Sequence, residues 1–170
     1  MTDAVYNVLF LCTGNSARSI LAEGLVNKLG DGRFRGFSAG SQPLPHPNPL
    51  AIQTLAENNC PVTDLRSKRW DEFAASDAPH MHFIVTVCDN AAGESCPLWP
   101  GRPASAHWGI PDPASVEWSQ SMKKAAFEAA FRAMHARISR FVRLPLESLE
   151  AAALQKALND IGDMSPGDRE

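Results

Sequence analysis

The stretch "VLFLCTGNSARS", Val8 to Ser19, decides how the rest of the chain is read. Its first half belongs to a short apolar run, "NVLFLC" from Asn7 to Cys12, which reads as a buried strand. After Cys12 the residues turn small and polar, and then Leu21, Leu25 and Leu29 recur at helical spacing up to a stop at Gly30. The pattern is strand, tight loop, helix. Cys12 closes the strand and Arg18 opens the helix, with Thr13, Gly14, Asn15, Ser16 and Ala17 between them. Short side chains let successive backbone N–H groups turn inward at a helix N-terminus, which makes a nest for a tetrahedral oxyanion. A nest of that kind lowers the pKa of a thiol lying in it, so Cys12 is expected to be a thiolate at neutral pH. Arg18 offers a planar fork of donors to two oxygens of the same anion. Ser19 is placed to donate a hydrogen bond to the Cys12 sulfur, which would aid its departure as a leaving group. The glycine–lysine pair of a Walker loop is missing.

Outward from this stretch, strand and helix signals alternate. "FRGFSAG" (residues 34–40) reads as a weaker strand, and the proline-rich segment from Pro43 to Pro49 as a loop. Asn48 is a suitable cap and Pro49 a first-turn residue for a helix from about Leu50 to Asn58. "HFIVTVC" (82–88) is the clearest later strand and "ASAHWGI" (104–110) the fourth. Two helices close the chain. Met122, Ala126, Ala130, Met134, Ile138 and Phe141 form one face of the first, and Leu146, Leu149, Leu154, Ala157, Leu158 and Ile161 one face of the second. Pro145 separates them. Residues 1–163 are expected to form a single catalytic domain and residues 164–170 a frayed tail. The alternation predicts an α/β fold, a parallel sheet with helices packed on it. Ligands gather at the carboxyl ends of such strands, so Cys12 and Cys88, each closing a strand, are both expected at that edge.

Composition narrows the classes. The 170 residues are 44% apolar and 21% charged, with a net charge of −3, which gives nucleic acid and anionic membranes nothing to hold. No run approaches the roughly 18 apolar residues of a membrane span. Met1–Tyr6 carries Asp3 and no basic residue, so no secretory signal is read and a cytoplasmic location is expected. There free thiols are the rule, and Cys12, Cys60, Cys88 and Cys96 are expected to be core or catalytic residues rather than a disulfide framework.

"VLFLCTGNSARSILAEGL" resembles the phosphate-binding loop of the low-molecular-weight protein tyrosine phosphatases, and more closely that of the arsenate reductases built on the same fold. "FSAGS", "DLRSKRW", "HFIVTVCDNAAGESCP", "HWGIPDPA" and "LPLESL" extend the resemblance through most of the chain. It implies a three-layer sandwich around a four-stranded parallel sheet. By that resemblance Cys12 is the nucleophile, Arg18 the oxyanion clamp and Asp112 the general acid. Pro111 and Pro113 stiffen the loop of Asp112, and a carboxylic acid held over the nest would protonate a departing oxygen.

A phosphatase on this scaffold needs only Cys12, Arg18 and Asp112, with aromatic walls for a phenyl ring. The tyrosine phosphatases carry tyrosines after their Asp-Pro; here "ASVEW" follows, Tyr6 is the only tyrosine, and Trp108 and Trp118 are the available substitutes. A reductase instead needs further cysteines, and "CDNAAGESC" supplies Cys88 and Cys96. The resemblance implies a relay in which arsenate, for which phosphate or sulfate is a mimic, joins Cys12. Cys88 then attacks Cys12, Cys96 attacks Cys88, and thioredoxin, or glutaredoxin with glutathione, reduces the resulting disulfide. If residues 88–96 were helical, the two Cα atoms would lie about 12 Å apart, beyond the roughly 7 Å a disulfide spans. The segment is therefore expected to unwind on oxidation. An anion-binding domain without catalysis is the third class, and the joint presence of Cys12, Arg18 and Asp112 argues against it.

Some reductases of this type bind potassium through residues matching Asn15, Glu23, Ser38 and Asp64, so the resemblance implies a potassium site there and no other tightly bound cofactor. Cys60 is expected to be structural, His107 a packing or supporting contact, and the chain a monomer.

Overall fold

The structure is a computed structural model and describes residues 5–88, 99, 103–115 and 119–164. Four parallel strands form the sheet: β1 (Tyr6–Leu11), β2 (Phe34–Ala39), β3 (Phe83–Thr86) and β4 (Ala104–His107), in the order β2-β1-β3-β4. Helix α1 (Arg18–Leu29) returns the chain from β1 to β2, and α2 (Pro49–Glu57) follows β2. Helices α3 (Gln120–Val142) and α4 (Ala151–Gly162) close the described chain. The α/β class, the parallel sheet and its four strands agree with the sequence reading.

β1 is buried on both faces, which is why it reads as an unbroken apolar run. Val8 and Phe10 face a large core shared with α1, α3 and α4, while Leu9 and Leu11 face a smaller one with Trp70, Phe73, Met81 and Ile84. Trp70–Phe73 is a short 3-10 turn that brings its two aromatic residues onto this second face. At Asn48 the expected cap forms, its side chain accepting from Leu50 N at 2.9 Å with Pro49 in the first turn.

Two boundaries differ from expectation. The last helix begins at Ala151 and leaves Leu146 and Leu149 outside it. Pro145 opens a turn closed by Ser148 N on Pro145 O at 2.9 Å, and Leu146 is buried from that turn without helical backbone. Met164, placed in the tail by its sequence, is buried, and its carbonyl accepts from Arg137 Nη2 at 2.9 Å. Among the described residues no helix is long and apolar enough to cross a membrane.

The strand order positions the site. From β1 the chain first builds outward to β2, then returns to the other side of β1 to lay down β3. The carboxyl ends of β1 and β3 flank that reversal, where an open α/β sheet leaves a crevice. Cys12 follows β1 directly and Cys88 lies just past β3.

Candidate active site

Cys12 and Cys88 are both buried. The Cys88 thiol neighbours that of Cys12 and raises its pKa, and Thr13 Oγ1, on the residue after Cys12, lies 3.8 Å from Cys88 Sγ. Residues 75 apart in sequence thus meet at the switch point of the sheet. The other thiol of the expected relay, Cys96, lies outside the described residues, as does the 89–95 segment expected to unwind.

The loop from Thr13 to Ala17 is tied down from several sides. Gln42 N donates to Thr13 O at 3.0 Å, Leu44 N to Gly14 O at 2.9 Å and Asn48 N to Ser16 O at 2.8 Å. The proline-rich segment is therefore the outer brace of the loop, with its backbone donors spent on loop carbonyls. Gly40 closes the inner side. A methyl group there would collide with the carbonyl oxygens of Cys12 and Thr13. Gly40→Ala is accordingly expected to lower the unfolding free energy by about 1–3 kcal/mol and to weaken anion binding, checked by chemical denaturation and phosphate titration.

Asn15 organises the nucleophile. It is fully buried and holds a left-handed backbone with φ 45°, a conformation a non-glycine residue keeps only when its surroundings impose it. Lys68 N donates to Asn15 Oδ1 at 2.9 Å, which fixes the orientation of the amide, because a backbone N–H can only donate. The amide nitrogen then donates to Ser19 Oγ at 2.8 Å. Ser19 Oγ in turn lies 2.9 Å from Cys12 Sγ, within hydrogen-bond reach. The expected Ser19–Cys12 contact is present, and Asn15 holds the serine in place for it.

Cys12 departs from expectation in one respect. Its thiol is pushed well above the ordinary range, first by the neighbouring Cys88 thiol and then by burial; the Ser19 hydroxyl and backbone N–H pull it down without offsetting them. The nest favours the thiolate of a lone cysteine; a second buried sulfur beside it disfavours the anion.

Arg18 and Asp112 meet across the mouth of the site. Arg18 Nη1 donates to Ile110 O at 3.1 Å, and its Nη2 lies 3.7 Å from Asp112 Oδ2. Asp112 Oδ1 accepts from Ala114 N at 3.0 Å, and Ser115 Oγ donates to Asp112 O at 2.8 Å, so the carboxylate caps the turn Pro113–Ser115. At 40% exposure the Asp112 side chain is open to solvent, whereas Arg18 is largely covered.

Two of the aromatic candidates fall away. Trp108 is fully buried, and its indole N–H donates to Leu158 O at 3.0 Å, so it belongs to the core and not to a substrate wall. Tyr6 starts β1, at the opposite end of that strand from Cys12, with its hydroxyl on Glu147. Trp118 lies outside the described residues. Cys60 is buried behind α2, and burial pushes its thiol up, which fits a structural role. His107 Nδ1 lies 2.8 Å from Thr86 Oγ1 on the neighbouring strand, a supporting contact.

The residues expected to hold potassium do not form a cage for a free ion. Ser38 Oγ donates to Glu23 Oε1 at 2.5 Å, but the ammonium of Lys68 reaches Ser38 O at 2.7 Å and lies 4.0 Å from Glu23 Oε1. Asp64 is exposed in a turn with φ 65°. The feature missed in the sequence is Lys68, in "DLRSKRW"; a buried lysine has no periodicity signal of its own.

Residues 7–157 match the low molecular weight phosphotyrosine protein phosphatase family. The chain belongs to that family. Among its relatives, the arsenate reductase of Shouchella clausii is 33% identical over 134 residues, 79% of this chain and 93% of the relative. The arsenate reductase of Bacillus licheniformis is 35% identical over 135 residues, again 79% and 93%. The crystal structure of arsenate reductase from Archaeoglobus fulgidus superposes with a TM-score of 0.62 at 26% identity, covering 79% of this chain and 98% of that one.

Proposed function

We propose that the protein reduces arsenate to arsenite at Cys12 and passes the resulting oxidation to Cys88 and Cys96. The observation that carries this reading is a second buried cysteine, Cys88, set against the oxyanion loop beside Cys12, its Sγ 3.8 Å from Thr13 Oγ1. A phosphatase has no use for the second sulfur. Relatives named arsenate reductases at 33% and 35% identity point the same way.

Arsenate binds to the backbone N–H groups of residues 13–18 and to Arg18. The Cys12 sulfur forms a bond to arsenic, and an arsenate oxygen leaves as water, taking one proton from the Cys12 thiol and one from Asp112 or solvent. Arsenic is still pentavalent in this adduct. The Cys88 sulfur, losing its proton, then attacks the Cys12 sulfur. The electron pair of the sulfur–arsenic bond stays with arsenic, which leaves as arsenite, and a Cys12–Cys88 disulfide forms. Cys96 attacks Cys88, Cys12 departs as a thiol stabilised by Ser19, and the Cys88–Cys96 disulfide takes two electrons and two protons from an external dithiol. Thioredoxin is the donor we assign, with glutaredoxin and glutathione the alternative.

The test couples the protein to NADPH oxidation through thioredoxin and thioredoxin reductase, and in parallel through glutaredoxin and glutathione. Arsenate-dependent oxidation with the thioredoxin pair is expected. Hydrolysis of an aryl phosphate with no arsenate-dependent oxidation from either donor would replace this reading by the phosphatase one.

A further inference from the structure

We propose that the Lys68 ammonium is a built-in monovalent cation that positions the oxyanion loop through Asn15. Lys68 is a buried lysine, and its Nζ donates to Ser38 O and to Arg66 O, each at 2.7 Å. The Glu23 carboxylate lies 4.0 Å from it. Two carbonyl oxygens and a carboxylate around one positive centre form the oxygen set that would otherwise surround a potassium ion. A lysine ammonium is a compact point charge with three donors and serves the same oxygens. Burial pulls the Lys68 pKa down while Glu23 holds it up, as expected of an ammonium kept in the interior by its partners.

The consequence reaches the sulfur through three hydrogen bonds. The ammonium anchors the segment 66–68 to β2 at Ser38. That segment then grips Asn15 twice, Ser67 Oγ donating to Asn15 O at 2.6 Å and Lys68 N to Asn15 Oδ1 at 2.9 Å. Asn15 in turn orients Ser19, and Ser19 the Cys12 sulfur. Without the ammonium, the Ser38 and Arg66 carbonyls and the Glu23 carboxylate lose their shared partner, and a buried group left unpaired costs more than its bond contributed. The left-handed backbone of Asn15 then loses part of what holds it. Lys68 is thus a positioning residue that touches neither substrate nor sulfur.

Lys68→Ala removes the charge and opens a space for an ion, whereas Lys68→Met removes the charge and keeps the volume. Phosphate affinity and the thermal midpoint are measured for each in potassium, ammonium and choline chloride at one ionic strength. The wild type is expected to give the same values in potassium and in choline. Lys68→Ala is expected to bind phosphate about tenfold more weakly in choline, with affinity and midpoint both restored toward wild type by potassium or ammonium. Lys68→Met is expected to be equally weak and not restored. A wild-type midpoint that rises with potassium but not choline would overturn the proposal. So would Lys68→Met with wild-type phosphate affinity, or Lys68→Ala restored by neither cation. If Lys68→Ala folds only with potassium or ammonium present, the proposal stands. Phosphate binding involves no electron transfer, so failure of the reductase assay and failure of this one are separate results.

Discussion

With Cys88 replaced by alanine, steady-state arsenate reduction is expected to fall by on the order of a thousandfold or more, while Cys12 becomes more reactive toward alkylation at neutral pH. The two effects have opposite signs and one origin. Cys88 is the largest cause of the raised Cys12 pKa, ahead of burial. Removing it brings the Cys12 titration to lower pH, and at any fixed pH below the midpoint a larger fraction is thiolate, the form that iodoacetamide alkylates. The same change deletes the sulfur that must attack the arseno adduct, so the adduct forms and goes no further. Iodoacetamide labelling across pH, followed by mass on the peptide containing Cys12, reads the first effect, and coupled NADPH oxidation reads the second. Phosphate binding by the variant is the control, because an unfolded chain would also gain alkylation and lose turnover but would bind no anion. Retained turnover would remove Cys88 from the reaction; an unmoved alkylation profile would show that burial alone holds the Cys12 proton.

The contrast between these two cysteines shows what the sequence carries. Cys12 and Arg18 are local to one strand–loop–helix stretch, so their meeting is written in the spacing. The approach of Cys88 to the Cys12 loop depends on strand order. It needs β3 to lie beside β1, a pairing that puts Leu11 opposite Thr86, and only the expectation that ligands collect at strand ends anticipates it. Lys68 was less legible still. Its role comes from a backbone path that carries Gly40 N to Lys68 O at 2.9 Å and Trp70 N to Gly40 O at 3.0 Å beside the end of β2, and nothing in "RSKRW" marks that path. The upward push on the Cys12 thiol is invisible in the loop sequence for a related reason. A motif describes the field of its own loop, and the deciding neighbour arrived from another strand. The helix boundary at Ala151 was missed because apolar spacing in "LPLESL" continues through a turn that Pro145 imposes on the backbone.

Asp112→Asn carries the second large effect, a loss of about 10²–10⁴-fold in turnover with arsenate and with any aryl phosphate the protein accepts. The substitution is nearly isosteric, and its retained carbonyl oxygen can still accept from Ala114 N, the bond that holds the turn Pro113–Ser115. The other position is where it fails. Asp112 Oδ2 faces Arg18 Nη2 at 3.7 Å, and an amide NH2 there points donors at a guanidinium that has only donors. Asparagine also has no proton to give to a departing oxygen. The two losses can be separated. Weakened attraction to Arg18 alters how the guanidinium is shared between the loop and the anion, which is read in phosphate affinity. The missing acid is read in turnover at saturating substrate. If Asp112 is the acid, kcat falls by orders of magnitude while phosphate affinity changes by less than about tenfold. If the residue only caps its turn, Asp112→Asn retains kcat within a few-fold and Asp112→Ala, which deletes the cap as well, does the damage.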